Sequence, residues 1–264
     1  THQSEAFVKL KILFSFFTAV VFSQFVKAEV LFEGYYKVSQ FKKHIGFLIL
    51  RHELDGKTKH FKTTSYTRLA KNGFDMTESY QAVSDAQLMP ISLNYLAASD
   101  KKNTKTIDVI FKKLKMSGTV IEDGKKININ KEIQKDQFFS SALYYLLLNR
   151  KEGLKTDLAF DFKAITEEGP VVLPGKVVID KKMITQGTLQ LLKSTNNFAG
   201  PEYENLITPR GEIISGFTPS TNIESQLVKD SKEATEGIKI SAGNLEKIFG
   251  NVPVGKINVY SAGK

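Results

Sequence analysis

Cysteine occurs nowhere in the 264 residues of this chain. Its absence removes thiol nucleophiles, thiolate metal ligands and disulfide staples at once. It also removes the lipid-bearing cysteine that a lipoprotein leader requires. Tryptophan is absent too, and histidine is scarce, with only His44, His52 and His60 beyond the N-terminal segment. His44 and His52 share one face of a strand but stand about 26 Å apart at 3.3 Å per residue, too far to share a metal ion. His52 and His60 approach each other only if the chain turns at Asp55-Gly56, and Glu53 then points to the opposite face. The expectation is surface or rim histidines, with no metal and no cofactor. No H-E-x-x-H, Walker A loop or GxGxxG is present.

Arginine is limited to Arg51, Arg68, Arg150 and Arg210, so the formal charge of +9 is carried almost wholly by lysine. The lysines are scattered along alternating segments rather than clustered, which argues against nucleic acid as a partner. Weak attraction to an anionic envelope surface is compatible with this charge. Acidic pairs occur at Glu122-Asp123, Glu167-Glu168 and Glu202 with Glu204. They read as solvated turn and strand faces, so a hydrolase using two carboxylates is the least favoured reading and no catalytic residue is assigned.

Long apolar runs are few. The first, ILFSFFTAVVFSQF at 12–25, follows Lys9 and Lys11 and precedes Val26-Lys27-Ala28. A basic segment, a short apolar core and small residues at minus three and minus one form the pattern of a secretory signal peptide, with cleavage after Ala28. The run is shorter than the ~20 residues that span a bilayer. The chain opens with Thr1, and translation is expected to begin near Val8. Residues 1–28 are thus expected to be a leader and 29–264 a single soluble domain, with 168–175 as the best sub-boundary. The expected location is the periplasm, with membrane contact only during export or by weak surface attraction.

The second run is QFFSSALYYLLLNRKEG at 137–153. Phe138, Phe139, Ala142, Leu143, Leu146 and Leu147 follow helical spacing, Asp136 precedes them as a candidate cap, and Gly153 follows. The spacing predicts a helix of roughly 14 residues, about 21 Å long, which is too short for the ~30 Å hydrocarbon core.

Everything else reads as strand. Asp55-Gly56, Asn72-Gly73 and Asp123-Gly124 each separate alternating segments, a hairpin signal. Strands are expected near 30–40, 43–54, 58–69, 74–84, 87–98, 105–114, 116–122 and 126–130. After the helix they resume at 154–166, 173–182, 185–198, 202–208, 211–217 and 222–230. KHIGFLILRHEL at 43–54 is apolar on both faces and reads as a central strand. Thr208-Pro209-Arg210-Gly211 reads as a tight turn, and Ser241 as the cap of a short C-terminal helix ending at Gly250. The expected fold is mainly β: a large antiparallel sheet, curved into a partial or closed barrel, with one central helix.

Three stretches carry a resemblance: LFEGYYKV with HIGFLIL, the pattern Asp136, Phe139-Ser140, Leu143-Tyr144-Tyr145-Leu146 and Gly153, and YENLITPRGEII. Together they resemble the exported bacterial family catalogued as domain of unknown function 3108. The resemblance implies a β-rich exported protein with a curved sheet, and it brings no activity or catalytic residues. The function expected is non-enzymatic binding of a lipid-like, apolar or amphipathic ligand, with Phe138, Tyr144 and Tyr145 as candidate ligand-binding residues. The alternative is a structural or interaction protein of the cell envelope.

Overall fold

The structure, a computed structural model, describes residues 28–99 and 105–240. The expected leader and the expected helix after Ser241 lie outside the described residues.

The N-terminal half is a meander of β1 (Glu29–Gln40), β2 (Lys43–Leu54), β3 (Phe61–Leu69), β4 (Met76–Ser84), β5 (Pro90–Ala98), β6 (Lys105–Lys112), β7 (Lys115–Glu122) and β8 (Lys125–Glu132). A short strand β9 (Phe138–Phe139), a 3-10 turn (Ser140–Ala142) and helix α1 (Leu143–Leu148) follow. The second half contains β10 (Leu158–Ile165), β11 (Val172–Ile179), β12 (Ile184–Gln186), β13 (Leu189–Phe198), β14 (Glu202–Ile207), β15 (Ile213–Thr218) and β16 (Ile223–Val228), and ends in α2 (Ser231–Ala234). The segment 185–198, read as one strand, is broken at Gly187, whose φ of +61° lets β12 fold back onto β13.

All the strands join one 16-stranded sheet, in the order β8-β7-β6-β5-β4-β3-β2-β1-β16-β15-β14-β13-β11-β10-β9, with β12 pairing on β13. The last long strand returns to the first, Tyr36 opposite Leu227, so β1 lies at the centre with one half on either side. Every pair is antiparallel except β9 on β10, where Phe138 aligns with Ala164 and Phe139 with Ile165. The sheet curves but does not close, because no ladder joins β8 to β9 or β10 among the described residues.

Turn chemistry sets much of this register. Asp123-Gly124 forms the expected two-residue turn, both residues having positive φ and Glu122 facing Lys125. Asp55-Gly56 does not: Leu54 pairs with Phe61 across a longer loop, in which the Asp55 carboxylate accepts from the N–H groups of Lys57 and Thr58. An Asx turn has taken the place of the tight hairpin.

The central strands are buried on both faces, as the apolar centre of β2 predicts. Their outer face packs Tyr35, Phe47, Ile49 and Tyr66 against Ala234 and Ile238. The Arg51–Glu33 ion pair, 2.6 Å long, is sealed on this face. Helix α2 starts at Asp230, whose carboxylate accepts from Glu233 N–H at 3.0 Å. On the inner face the two halves meet through β9 and α1.

Antiparallel order sorts the connections onto two rims. The β2–β3, β4–β5, β6–β7 and β14–β15 turns share one rim with the end of α1, hereafter the helix rim. The β1–β2, β3–β4, β7–β8 and β15–β16 turns form the opposite rim.

Candidate ligand site at the helix rim

The segment expected to be one long helix is a strand, a turn and a helix in succession, and the helical part spans only Leu143–Leu148. The physical reason lies in Phe138 and Phe139. Adjacent residues on a strand point to opposite sides. Extended, Phe138 reaches Phe162 in the second half (ring centroids 5.8 Å) while Phe139 meets Phe111 in the first half edge-on (5.6 Å). A helix would turn both rings toward neighbouring directions and lose one of these contacts.

Asp136 is exposed and does not cap. Glu167, distant in sequence, takes its place: its carboxylate accepts from Ser141 N–H at 3.0 Å and from the Ser140 hydroxyl at 2.6 Å. Glu167 is therefore buried, contrary to the solvated reading of the Glu167-Glu168 pair. Burial raises its pKa and the two serines oppose that shift. Glu78 lies in the same interior field, and its pKa is likewise raised, first by desolvation and then by Glu168 and Glu167.

The three candidate residues occupy different places. Phe138 packs in the inner core and lines one cavity. Tyr144 is buried, and its hydroxyl contacts the Ser194 hydroxyl at 2.6 Å while accepting from the side-chain amides of Asn205 (2.8 Å) and Asn196 (3.1 Å). All of its hydrogen-bonding capacity is directed at β13 and β14. Tyr145 lies between His52 (4.8 Å) and Phe61 (4.9 Å) and lines a second cavity.

His52 is not a rim histidine. It faces Thr63, not His60, across the β2–β3 pair, and its Nδ1 lies 3.0 Å from the Thr63 hydroxyl. Rings of Phe61, Phe32 and Tyr145 surround it, and desolvation lowers its pKa to about 3. The alternation along 43–54 placed His52 on a face, but which face is interior depends on how the sheet curls. Among the described residues no cluster of three His, Asp or Glu side chains could hold a metal ion.

Two cavities open beside the end of α1. The larger, about 330 Å³, is lined by Leu31, Leu54, Phe61, Leu88 and Tyr145, with Lys59 and Asp85 among its polar groups. The other, about 250 Å³, is lined by Leu88, Phe138, Leu146 and Phe160, with Lys135, Arg150 and Lys163 among its charged groups. Arg150 lies 4.4 Å over the Phe160 ring. Gly211 in the β14–β15 turn, at φ +82°, sits against α1, where a Cβ would come within 3.1 Å of Leu148 and 3.2 Å of Tyr144.

Leu88 forms the partition between the cavities. It is buried at φ +64°, unusual for leucine, in a turn where Asp85 accepts from the N–H groups of Gln87 and Met89. The strand expected at 87–98 begins only at Pro90, so Leu88 falls in the turn before it; the signal available was an apolar side chain two residues beyond the turn-forming pair Asp85-Ala86. Replacing Leu88 by Ala is expected to merge the cavities and to cost about 2–4 kcal/mol, because the removed atoms leave unfilled volume. Urea unfolding measures the loss; a cost under about 0.5 kcal/mol would show that Leu88 packs against nothing.

No family model matches the chain, and no curated protein matches it. Among solved structures, it is similar to a β-barrel-like protein of domain of unknown function DUF1849 from Brucella abortus, at 12% identity and a TM-score of 0.52, over 74% of this chain and 95% of that one. A DUF1089 family protein from Pseudomonas aeruginosa overlaps 68% of this chain and 92% of its own, at 11% identity and a TM-score of 0.39. The first likeness establishes a shared β-barrel-like fold with a domain of unknown function.

Proposed function

We propose that this chain is an exported periplasmic protein, without enzymatic activity, that binds an apolar or amphipathic lipid-like ligand at the helix rim. The observation carrying this reading is the pair of cavities that meet at Leu88, the larger mainly apolar in its lining and the smaller mixing apolar side chains with charges of both signs. The larger falls at the lower end of the volumes that hold small ligands. Its walls carry no arranged nucleophile and base, which supports binding over turnover. The leader-like N-terminus supports export, and kinship with the domain of unknown function 3108 family is part of the same proposal.

Uptake of a dansyl-labelled fatty acid tests it. Saturable brightening with the emission shifted to the blue is expected, together with a ligand mass retained in native mass spectrometry. A linear, unsaturable response with a bare protein mass would overturn the reading. Strand β8, an open edge among the described residues with Ile127 largely exposed, favours a second reading as an envelope scaffold that adds strands from a partner. Crosslinking in cells separates the two, since a scaffold holds one stable partner and a carrier exchanges several.

A further inference from the structure

Two exposed segments of the helix rim combine lysines with apolar side chains. The helix rim carries Lys112-Lys113-Leu114-Lys115 at the β6–β7 turn and Lys181-Lys182-Met183-Ile184 after β11, with all eight residues exposed. Leu114, Met183 and Ile184 are 40%, 42% and 38% exposed. The opposite rim presents Asp123, Glu168 and Glu202 together with Lys42, Lys43, Lys125 and Lys126, all exposed, so its charge is mixed.

The β6–β7 turn has an unfavoured backbone geometry. Lys113 and Leu114 both adopt positive φ, +48° and +64°. That geometry favours Asn-Gly, and the chain uses such a pair at Asp123-Gly124. Lysine and leucine are held there against local preference, as Phe41 and Lys42 are at φ +47° and +63° in the β1–β2 turn, and what sets the β6–β7 turn apart is its place beside the cavities. The turn is also joined to the cavity mouth. Ile133 N–H donates to the Leu114 carbonyl at 2.7 Å, and Lys135, two residues on, lines the smaller cavity beside Arg150.

We propose that the helix rim docks on an anionic lipid bilayer, with Leu114 entering the interface and Lys112, Lys113 and Lys115 facing the headgroups. Charge complementarity selects this occupant: lysines next to an anionic leaflet are attracted within a Debye length, and a neighbouring apolar side chain adds buried area. Docking in this orientation aims both cavity mouths at the membrane. In that respect the inference rests on the ligand reading above and supplies the source of the ligand. The competing anchor is Phe41, 66% exposed beside Lys42 and Lys43 on the opposite rim.

Because the full chain has no cysteine, single-cysteine probes report position without background. Leu114→Cys and Phe41→Cys, each labelled with the environment-sensitive dye NBD, are mixed with vesicles of phosphatidylcholine containing phosphatidylglycerol, and with phosphatidylcholine alone. Expected is a several-fold brightening at position 114 on the anionic vesicles only, reversed by high salt, with no change at position 41. Replacing Lys112, Lys113 and Lys115 together by Gln is expected to weaken this response on the order of a hundred-fold in lipid concentration. Silence at position 114, an equal response on neutral vesicles, or brightening at position 41 instead would each overturn the proposal. Dansyl fatty-acid uptake from solution, measured on the same samples, separates the readings. Uptake with silence at position 114 removes docking and leaves the cavity; brightening without uptake removes the cavity ligand and leaves docking.

Discussion

Tyr144→Phe is expected to lower the unfolding free energy by about 3–5 kcal/mol, because one oxygen atom serves three buried partners. Without it, Asn205 loses the acceptor of its amide N–H, Asn196 is left with the longer bond to Ser194 Oγ at 3.3 Å, and Ser194 loses its hydroxyl partner, all at buried positions. Desolvation holds the Tyr144 pKa above the usual tyrosine value while the three partners pull it back, so the neutral hydroxyl is the species they fit. Tyr145→Phe is the matched control. Its contacts run through the ring to His52 and Phe61, and less than about 1 kcal/mol is expected. Ser194→Ala added to Tyr144→Phe should cost less than the sum of the single changes, since the residues share one network. Urea unfolding of the wild type, the three single variants and the double variant measures this. Equal, small effects of the two Tyr→Phe changes would mean that the helix is held by its apolar side chains alone.

The second large effect concerns acid. His52 titrates near 6.5 when unfolded and at about 3 in the folded chain, so between these values the unfolded state binds the extra proton. Stability contributed by keeping this ring neutral is complete above pH 6.5 and falls as the pH drops toward 3. The slope is about 1.4 kcal/mol per pH unit, or roughly 3 kcal/mol between pH 6.5 and pH 4.5. Glu167 and Glu78, whose pKa values are raised, act in the opposite sense below neutrality. The comparison is therefore with His52→Gln, which keeps a polar partner for Thr63 and does not titrate. The wild-type advantage over His52→Gln should shrink steadily as pH falls from 6.5. Parallel stability profiles for the two proteins would show that His52 is already charged in the fold.

Both effects arise in side chains whose positions the sequence indicated and whose surroundings it did not. Period-two alternation and turn dipeptides located nearly every strand of the sheet, because the strand repeat is a local property of the backbone. They also marked β2 as central, since its centre is apolar on both faces. Histidine and carboxylate placement followed a different rule. His52 lies on a strand face that becomes interior only when the sheet curls, and Glu167 is buried only because Ser140 and Ser141 arrive from a distant segment. The same long-range contact explains the shortened helix: 3.6-residue spacing in 137–150 was real, but Phe138 and Phe139 gained more from reaching opposite halves of the sheet.

The sequence by itself therefore determined a β-rich chain without thiol chemistry, a hydrophobic segment too short to cross a bilayer at 137–153, and an excess of lysine. Tertiary structure alone decided that the sheet stays open among the described residues, that Tyr144 is a strut while Tyr145 faces a cavity, and that Lys112, Lys113 and Lys115 stand on the rim where the cavities open. Local patterns follow from bonded geometry and side-chain period. Curvature and enclosure arise from contacts between residues far apart in the chain, and no short stretch of sequence contains them.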